Sequence, residues 1–272
     1  MSENENKPSM HTLHIRLSAN HFIFALYEPA MKEGLVVKTY EVSPAASFTV
    51  NLKRALTEVS MAKMTYRRVK VLVNGPSTFI PLEEFQEEEI EDIFHYNYPD
   101  VKSQRILYTN IPQANIMQLF TLQESVYELL EKTFTNVHYQ AISTPVFSHF
   151  TEKSSTGDRG KLYAYFHENE MDVAIFKGGK TSLLNTFHLQ EEKDSIYYLL
   201  YLVKQTELNQ HTDSIYLTGK TINKETLVSS LSKYMSNVSF INPGAEFNRH
   251  PVARHPDMYY DLITLLLQSQ KR

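Results

Sequence analysis

Residues 162–189 read LYAYF-HENE-MDVAIF-KGGK-TSLLNTFHL. Leu162–Phe166 and Met171–Phe176 are short apolar runs that suit buried strands, and His167–Glu170 between them is polar enough to turn the chain. Lys177-Gly178-Gly179-Lys180 reads as a glycine hairpin turn, and Thr181–Leu189 as a third strand. Beyond them Ile196, Leu199, Leu200 and Val203 recur on one face of a long helix, and Ser214–Gly219 is a further strand. This part of the chain is therefore a three-strand meander, a helix and a strand.

The same order opens the chain. Leu13–Leu17 and Phe22–Tyr27 flank the turn Ser18-Ala19-Asn20-His21, and Gly34 introduces a third strand, Leu35–Val42. Ser43-Pro44 predicts an N-cap followed by a first-turn proline, after which Phe48, Leu52, Leu56 and Val59 keep helical spacing. Val69–Val73, ended by Asn74-Gly75-Pro76, supplies the strand after the helix. A βββαβ unit thus occurs twice, which makes the chain an α/β protein of two related halves.

The two units are separated by more than a linker. From Glu83 to Phe94 seven of twelve residues are carboxylic, while Phe85, Ile90, Ile93 and Phe94 can share one helical face. A carboxylate metal cluster is one reading of this segment. A solvated face with Glu87, Glu88 and Glu91 outward is favoured, because acidic residues at the front of a helix suit its dipole. Ile106–Ile111 and Ile116–Thr121 predict two strands around the turn Pro112–Asn115; a helix bearing Val126, Leu129, Leu130 and Phe134 and a strand at Val137–Ile142 follow. The stretch Thr151–Gly160 has no large apolar side chain and reads as a linker. The expected organisation is a disordered lead over 1–12, a first half over 13–150 with an inserted α+β subdomain at about 81–136, a linker at 151–161, and a second half over 162–272.

Composition narrows the function. The 272 residues carry 27 basic and 31 acidic side chains, a formal charge of −4, which leaves no excess of cation for neutralising nucleic-acid phosphates. Zero cysteines exclude disulfides, thiolate nucleophiles and cysteine zinc sites together. The polar start Met1–Lys7 does not read as a secretory signal, and the best apolar run, Leu262–Leu267, is six residues against the roughly 20 that span a bilayer. The expected location is the cytoplasm.

Three motifs have residue types that could carry chemistry. Ala174–Thr181 satisfies a permissive phosphate-loop pattern, but its glycines sit in a turn between strands instead of opening a helix, so the hairpin reading is preferred to ATP binding. His250 and His255 each precede proline, and exposed proline-fixed turns account for them better than a metal loop; no histidine pair has the spacing that aligns two ligands on a helix. Tyr197, Tyr198 and Tyr201 could form a partner-binding face, against which core packing is the favoured reading. No Gly-x-Ser-x-Gly nucleophile elbow is present.

The duplicated βββαβ unit resembles the actin, sugar-kinase and heat-shock-chaperone superfamily of ATPases, with a ribonuclease H-like core. The insertion between Val73 and Val137, introduced by Ile80-Pro81-Leu82-Glu83-Glu84-Phe85, is similar to that of the pilus-assembly branch. As a whole, residues 13–270 resemble a bacterial family with an actin-like ATPase fold and no established function. In active members of the superfamily the first inter-strand turn of each half carries an Asp-x-Gly phosphate loop, where glycine admits close backbone approach and aspartate helps hold the metal. Here Leu17–His21 has neither residue, and Phe166–Glu170 lacks glycine and adds two carboxylates. The adenosine-side motif survives in part as Leu217-Thr218-Gly219-Lys220. What the resemblance implies is a pseudo-ATPase: a non-catalytic binding or scaffold protein with a protein partner and no cofactor, with room for a homodimer. The alternative is an ATP-binding switch or ATPase that holds ATP and magnesium through Ser18, Asn20, Asn169, Thr218 and Gly219.

Overall fold

The computed structural model describes residues 9–28, 34–102, 104–221 and 223–270. In the first half, β1 (Ser9–Leu17), β2 (His21–Tyr27) and β3 (Leu35–Glu41) form the meander, helix α1 (Phe48–Glu58) crosses over, and β4 (Tyr66–Val73) pairs parallel with β1. After an inserted segment, β8 (Val137–Ala141) pairs parallel with β4, giving the order β3-β2-β1-β4-β8. The second half repeats this with β9 (Lys161–His167), β10 (Glu170–Lys177), β11 (Lys180–His188), α5 (Glu192–Gln205), β12 (Ser214–Gly219), α6 (Lys224–Leu231) and β13 (Asn237–Phe240), in the order β11-β10-β9-β12-β13. The two sheets share one topology, as the repeated sequence pattern anticipates.

Alternation along the central strands fixes which side faces what. Leu13, Ile15 and Leu17 point to a core closed by Leu52 and Leu56 of α1 and by Val126 and Leu130 of the helix α3 (Glu124–Thr133). On the second sheet Leu162, Ala164 and Phe166 pack on Leu199, Leu202 and Val203 of α5. The opposite faces of the two sheets look toward each other. Ile23, Ala25 and Leu72 share a core with Tyr163, Tyr165, Ala174 and Phe176, filled by α4 (Ser143–Ser154) and α9 (Tyr260–Gln270), which pack together. His14 and Arg16 of β1 fall on this inner side, so two ionisable residues of an apolar strand are buried at the junction of the halves.

Several local expectations change. Ser9–Thr12 begin β1, pairing with Tyr66 and Arg68, while residues 1–8 of the expected disordered lead lie outside the described residues. Helix α1 is capped by Ser47, whose Oγ accepts the Val50 N–H, and not by Ser43. The Asn51 side chain reaches back to Ser43, which holds the intervening residues in a turn. Thr151–Ser154 continue α4 with Thr151 and Ser154 buried, so irregular chain occupies only 155–160.

The inserted segment contains β5 (Ser77–Pro81), α2 (Ile90–Asn97), β6 (Gln104–Ile111), β7 (Ile116–Gln123) and α3. Its sheet order is β5-β7-β6, with β5 added to the two strands read from sequence. The acidic stretch is two short 3-10 turns followed by α2; Phe94 is buried against Ile80 and Leu119, and Glu87, Glu88 and Glu91 are exposed. At 177–180 the chain makes the β10–β11 hairpin, with Gly178 and Gly179 at φ +54° and +73°.

Candidate functional site

The turns β1–β2 and β9–β10, where the superfamily would cradle phosphates, are bridged here by side chains. Arg16 is entirely buried, and its guanidinium forks onto Glu168, with Nη1–Oε1 at 2.9 Å and Nη2–Oε2 at 3.2 Å. Its Nε donates to Asp261 Oδ2 at 2.8 Å, an oxygen that also accepts the Tyr165 hydroxyl at 2.9 Å. Arg16 comes from the first half, Glu168 from the second and Asp261 from the first turn of α9, so one guanidinium ties three elements.

The network continues through His167. Its Nδ1 lies 3.0 Å from Glu168 Oε2 and its Nε2 2.8 Å from Asp172 Oδ2, while Asp172 Oδ1 accepts the Thr186 hydroxyl at 2.7 Å. Burial opposes charging of His167, but the Asp172 anion and the bonds to Asp172 and Glu168 push the imidazole up to about 10. Burial likewise works against ionised Glu168, and His167 and Arg16 overcome it, holding the carboxyl well below its usual range. Glu168 adopts φ +45°, a left-handed backbone unfavourable for a residue with a Cβ, and the bonds to Arg16 and His167 offset that cost. Tyr259 covers the assembly: Arg16 Cζ lies 4.0 Å and Lys220 Nζ 3.8 Å from its ring centroid, with the His21 ring 5.1 Å away.

Beside the second turn lies a cleft of about 390 Å³ lined by Glu168, Asn169, Glu170, Glu191, Ser195 and Lys220 among others. Burial, aided by the Asp172 and Glu168 anions, raises the Glu170 carboxyl despite the opposing His167 cation. Among the described residues no three histidine, aspartate or glutamate side chains are grouped to hold a metal ion.

The residues named for ATP and magnesium are distributed unevenly around this geometry. Ser18 is buried, and both its N–H and its hydroxyl donate to His21 O. Asn20 and Asn169 sit exposed at the tips of the two turns, and Asn169 lines the cleft. Thr218 is fully buried with its hydroxyl unpartnered. Gly219, at φ +99°, lies against the Phe166 backbone so closely that a Cβ would come within 2.1 Å of Phe166 O, which gives this glycine a strand-packing role. Arg16, Asp172 and Asp261 are the residues missed from sequence. Their signal was an ionisable side chain inside an apolar run, since such residues are rarely buried unless paired.

The family model that describes a protein of unknown function, DUF3822, matches residues 2–238. The chain belongs to the DUF3822 family. Among solved structures, a Bacteroides thetaiotaomicron VPI-5482 protein with actin-like ATPase fold and unknown function superposes with a TM-score of 0.83 at 31% identity, over 98% of this chain and 99% of that one. The PilM-PilN type IV pilus biogenesis complex matches with a TM-score of 0.58 at 13% identity, over 96% of this chain and 99% of that chain. No match was found among curated proteins. This DUF3822 member therefore has the actin-like ATPase fold, and its kinship with the pilus-assembly protein is one of fold.

Proposed function

We propose that this chain is a non-catalytic actin-like protein, a pseudo-ATPase of the cytoplasm that acts as a binding or scaffold component for a protein partner. The carrying observation is the buried Arg16–Glu168 pair, which spans the two turns from which ATP phosphates would be held. Phosphate entering there would have to displace a carboxylate held by three hydrogen bonds and would meet Glu170 beside it. Neither turn offers glycine, and the first offers no anionic oxygen for magnesium. A partner-binding role is supported by the PilM structure, which is a complex with PilN. Among the described residues no helix is long and apolar enough to cross a membrane.

Isothermal titration with Mg-ATP tests this reading, with no saturable heat expected and no phosphate released above buffer background. A ligand at a hundred times its dissociation constant adds about 2.7 kcal/mol to stability, so a thermal melt with millimolar Mg-ATP gives an independent readout. Micromolar affinity that is lost in Lys220→Ala would overturn the proposal and make the protein an ATP switch.

A further inference from the structure

A separate cavity of about 270 Å³ opens where the first sheet, the inserted subdomain and the helices α4 and α9 meet. Lys70 of β4 and Gln140 of β8 reach it from the inner face of the sheet, the face on which Leu72 joins the core between the halves. Three of its lining groups are acceptors. Ser148 and Glu152 stand at i and i+4 on α4 and so share one helix face. The Ser148 hydroxyl proton is committed to Thr144 O at 3.0 Å, which leaves this oxygen only an acceptor's role toward a ligand. The third acceptor, Gln140 Oε1, is buried, and no donor among the described residues reaches it. Buried polar atoms are generally paired, so an acceptor left over at a cavity wall marks a place for a donor that the chain does not supply. The wall also carries a cation, Lys70, whose Nζ donates to Ser269 Oγ at 2.7 Å, and the amide groups of Asn110 and Gln113 from the inserted subdomain. Among the described residues no aromatic side chain lines the cavity, so it offers nothing on which a base or sugar ring would stack.

We propose that this cavity binds a free α-amino acid with a short polar side chain. An ammonium carries three N–H donors, which match the acceptors Gln140 Oε1, Ser148 Oγ and the Glu152 carboxylate, while the α-carboxylate pairs with the Lys70 cation. The amides of Asn110 and Gln113 both donate and accept, which suits a hydroxyl or carboxamide side chain. Size points the same way, since sites for drug-sized molecules span roughly 300–1,000 Å³ and this one is smaller. Thr144, another lining residue, donates to Gln118 Oε1 at 2.8 Å, so the ligand sits beside the side chain that joins the inserted subdomain to α4. The inference goes beyond the scaffold reading and does not depend on it.

The experiment titrates the full chain calorimetrically with L-serine, L-asparagine and L-glutamine, and with the N-acetyl form of each, which lacks the ammonium. Saturable heat with a dissociation constant at or below about 1 mM is expected for at least one free amino acid, and none for its acetylated form. Gln140→Met keeps the length of the side chain and removes the acceptor, and is expected to weaken binding at least about tenfold. Glu152→Gln changes an exposed position, so it tests the ammonium contact even if Gln140→Met fails to fold; the same direction of change is expected. Thermal melts of both variants establish that they are folded. No saturable heat from any of the three amino acids, equal binding of an acetylated form, or full affinity in a folded Gln140→Met or Glu152→Gln overturns the proposal.

Discussion

Arg16 donates from Nε to Asp261 Oδ2 at 2.8 Å, and neither side chain has any exposed surface. A charge pair so placed stabilises little relative to an apolar pair, but losing one partner is costly because the other stays buried and ionised. Arg16→Met strands Asp261 and Glu168 at once, and a loss of about 3–5 kcal/mol is expected in urea unfolding. Neutralising the partners as well, in Arg16→Met/Glu168→Gln/Asp261→Asn, is expected to recover a large part of it. Equal stability of the single and triple variants would show that lost packing, not uncompensated charge, dominates.

Two buried histidines shift in opposite directions and together place the pH optimum of stability. His167 has its pKa raised from 6.5 to about 10, so it keeps a proton in the folded state that the unfolded chain releases; its contribution is full below 6.5 and lost as pH rises toward 10. His14, on the same inner face, is lowered to about 3 by burial and by the Lys70 cation. The unfolded chain there takes up the proton first, so stability falls as pH drops from 6.5 toward 3. Stability is expected to peak near pH 6.5. In denaturant titrations across pH, His167→Asn should flatten the alkaline limb and His14→Gln the acid limb. An alkaline slope unchanged in His167→Asn would rule out His167 as its source.

Legibility in the sequence followed burial. Strands of the two halves announced themselves because both faces are covered, so Leu162–Phe166 reads as an unbroken apolar run and Met171–Phe176 as one interrupted by Asp172 alone. The cap of α1 was misplaced because Ser43-Pro44 and Ser47 both fit an N-terminus, and the choice depends on the Asn51 side chain reaching back to Ser43. Tyr197 and Tyr201, favoured as core, are 66% and 51% exposed; only Tyr198 packs inward, on Phe187. The turns at Ser18–His21 and His167–Glu170 were readable as turns without an Asp-x-Gly pattern. What fills the space between them was not, because Glu168 and Asp261 lie 152 and 245 residues from Arg16 in sequence and meet it only in the folded chain.

Gln118 fastens the inserted subdomain to the first half. Its side chain is buried on β7, where Nε2 donates to Ser143 Oγ at 2.7 Å and to Ser77 Oγ at 3.3 Å, and Oε1 accepts from Thr144 Oγ1 at 2.8 Å. Gln118→Leu keeps much of the volume but leaves the Thr144 hydroxyl without its acceptor. A loss of about 1–3 kcal/mol is expected. Hydrogen exchange should quicken first at the start of α4 and along β5; exchange that quickens uniformly over the chain would argue against a local fastening.

Two glycines with positive φ separate conformational strain from steric exclusion. Gly178 sits at φ +54° in the β10–β11 turn, and a Cβ added there would meet nothing within 4 Å. Gly178→Ala therefore costs only the left-handed conformation, about 1–2 kcal/mol, and Gly178→Asn less, since asparagine tolerates that region. Gly219 at φ +99° adds a Cβ 2.1 Å from Phe166 O and 2.8 Å from Phe166 N, backbone atoms that cannot move aside without separating β12 from β9. Because Lys220 N–H also donates to Phe166 O at 2.9 Å, the same displacement carries Lys220 away from Tyr259. Gly219→Ala is expected to cost more than about 3 kcal/mol, the sum of strain and overpacking. Paired urea titrations check the contrast. A Gly219→Ala loss no greater than that of Gly178→Ala would mean that β12 can yield at this point, and would return Gly219 to the set of positions free to serve a ligand.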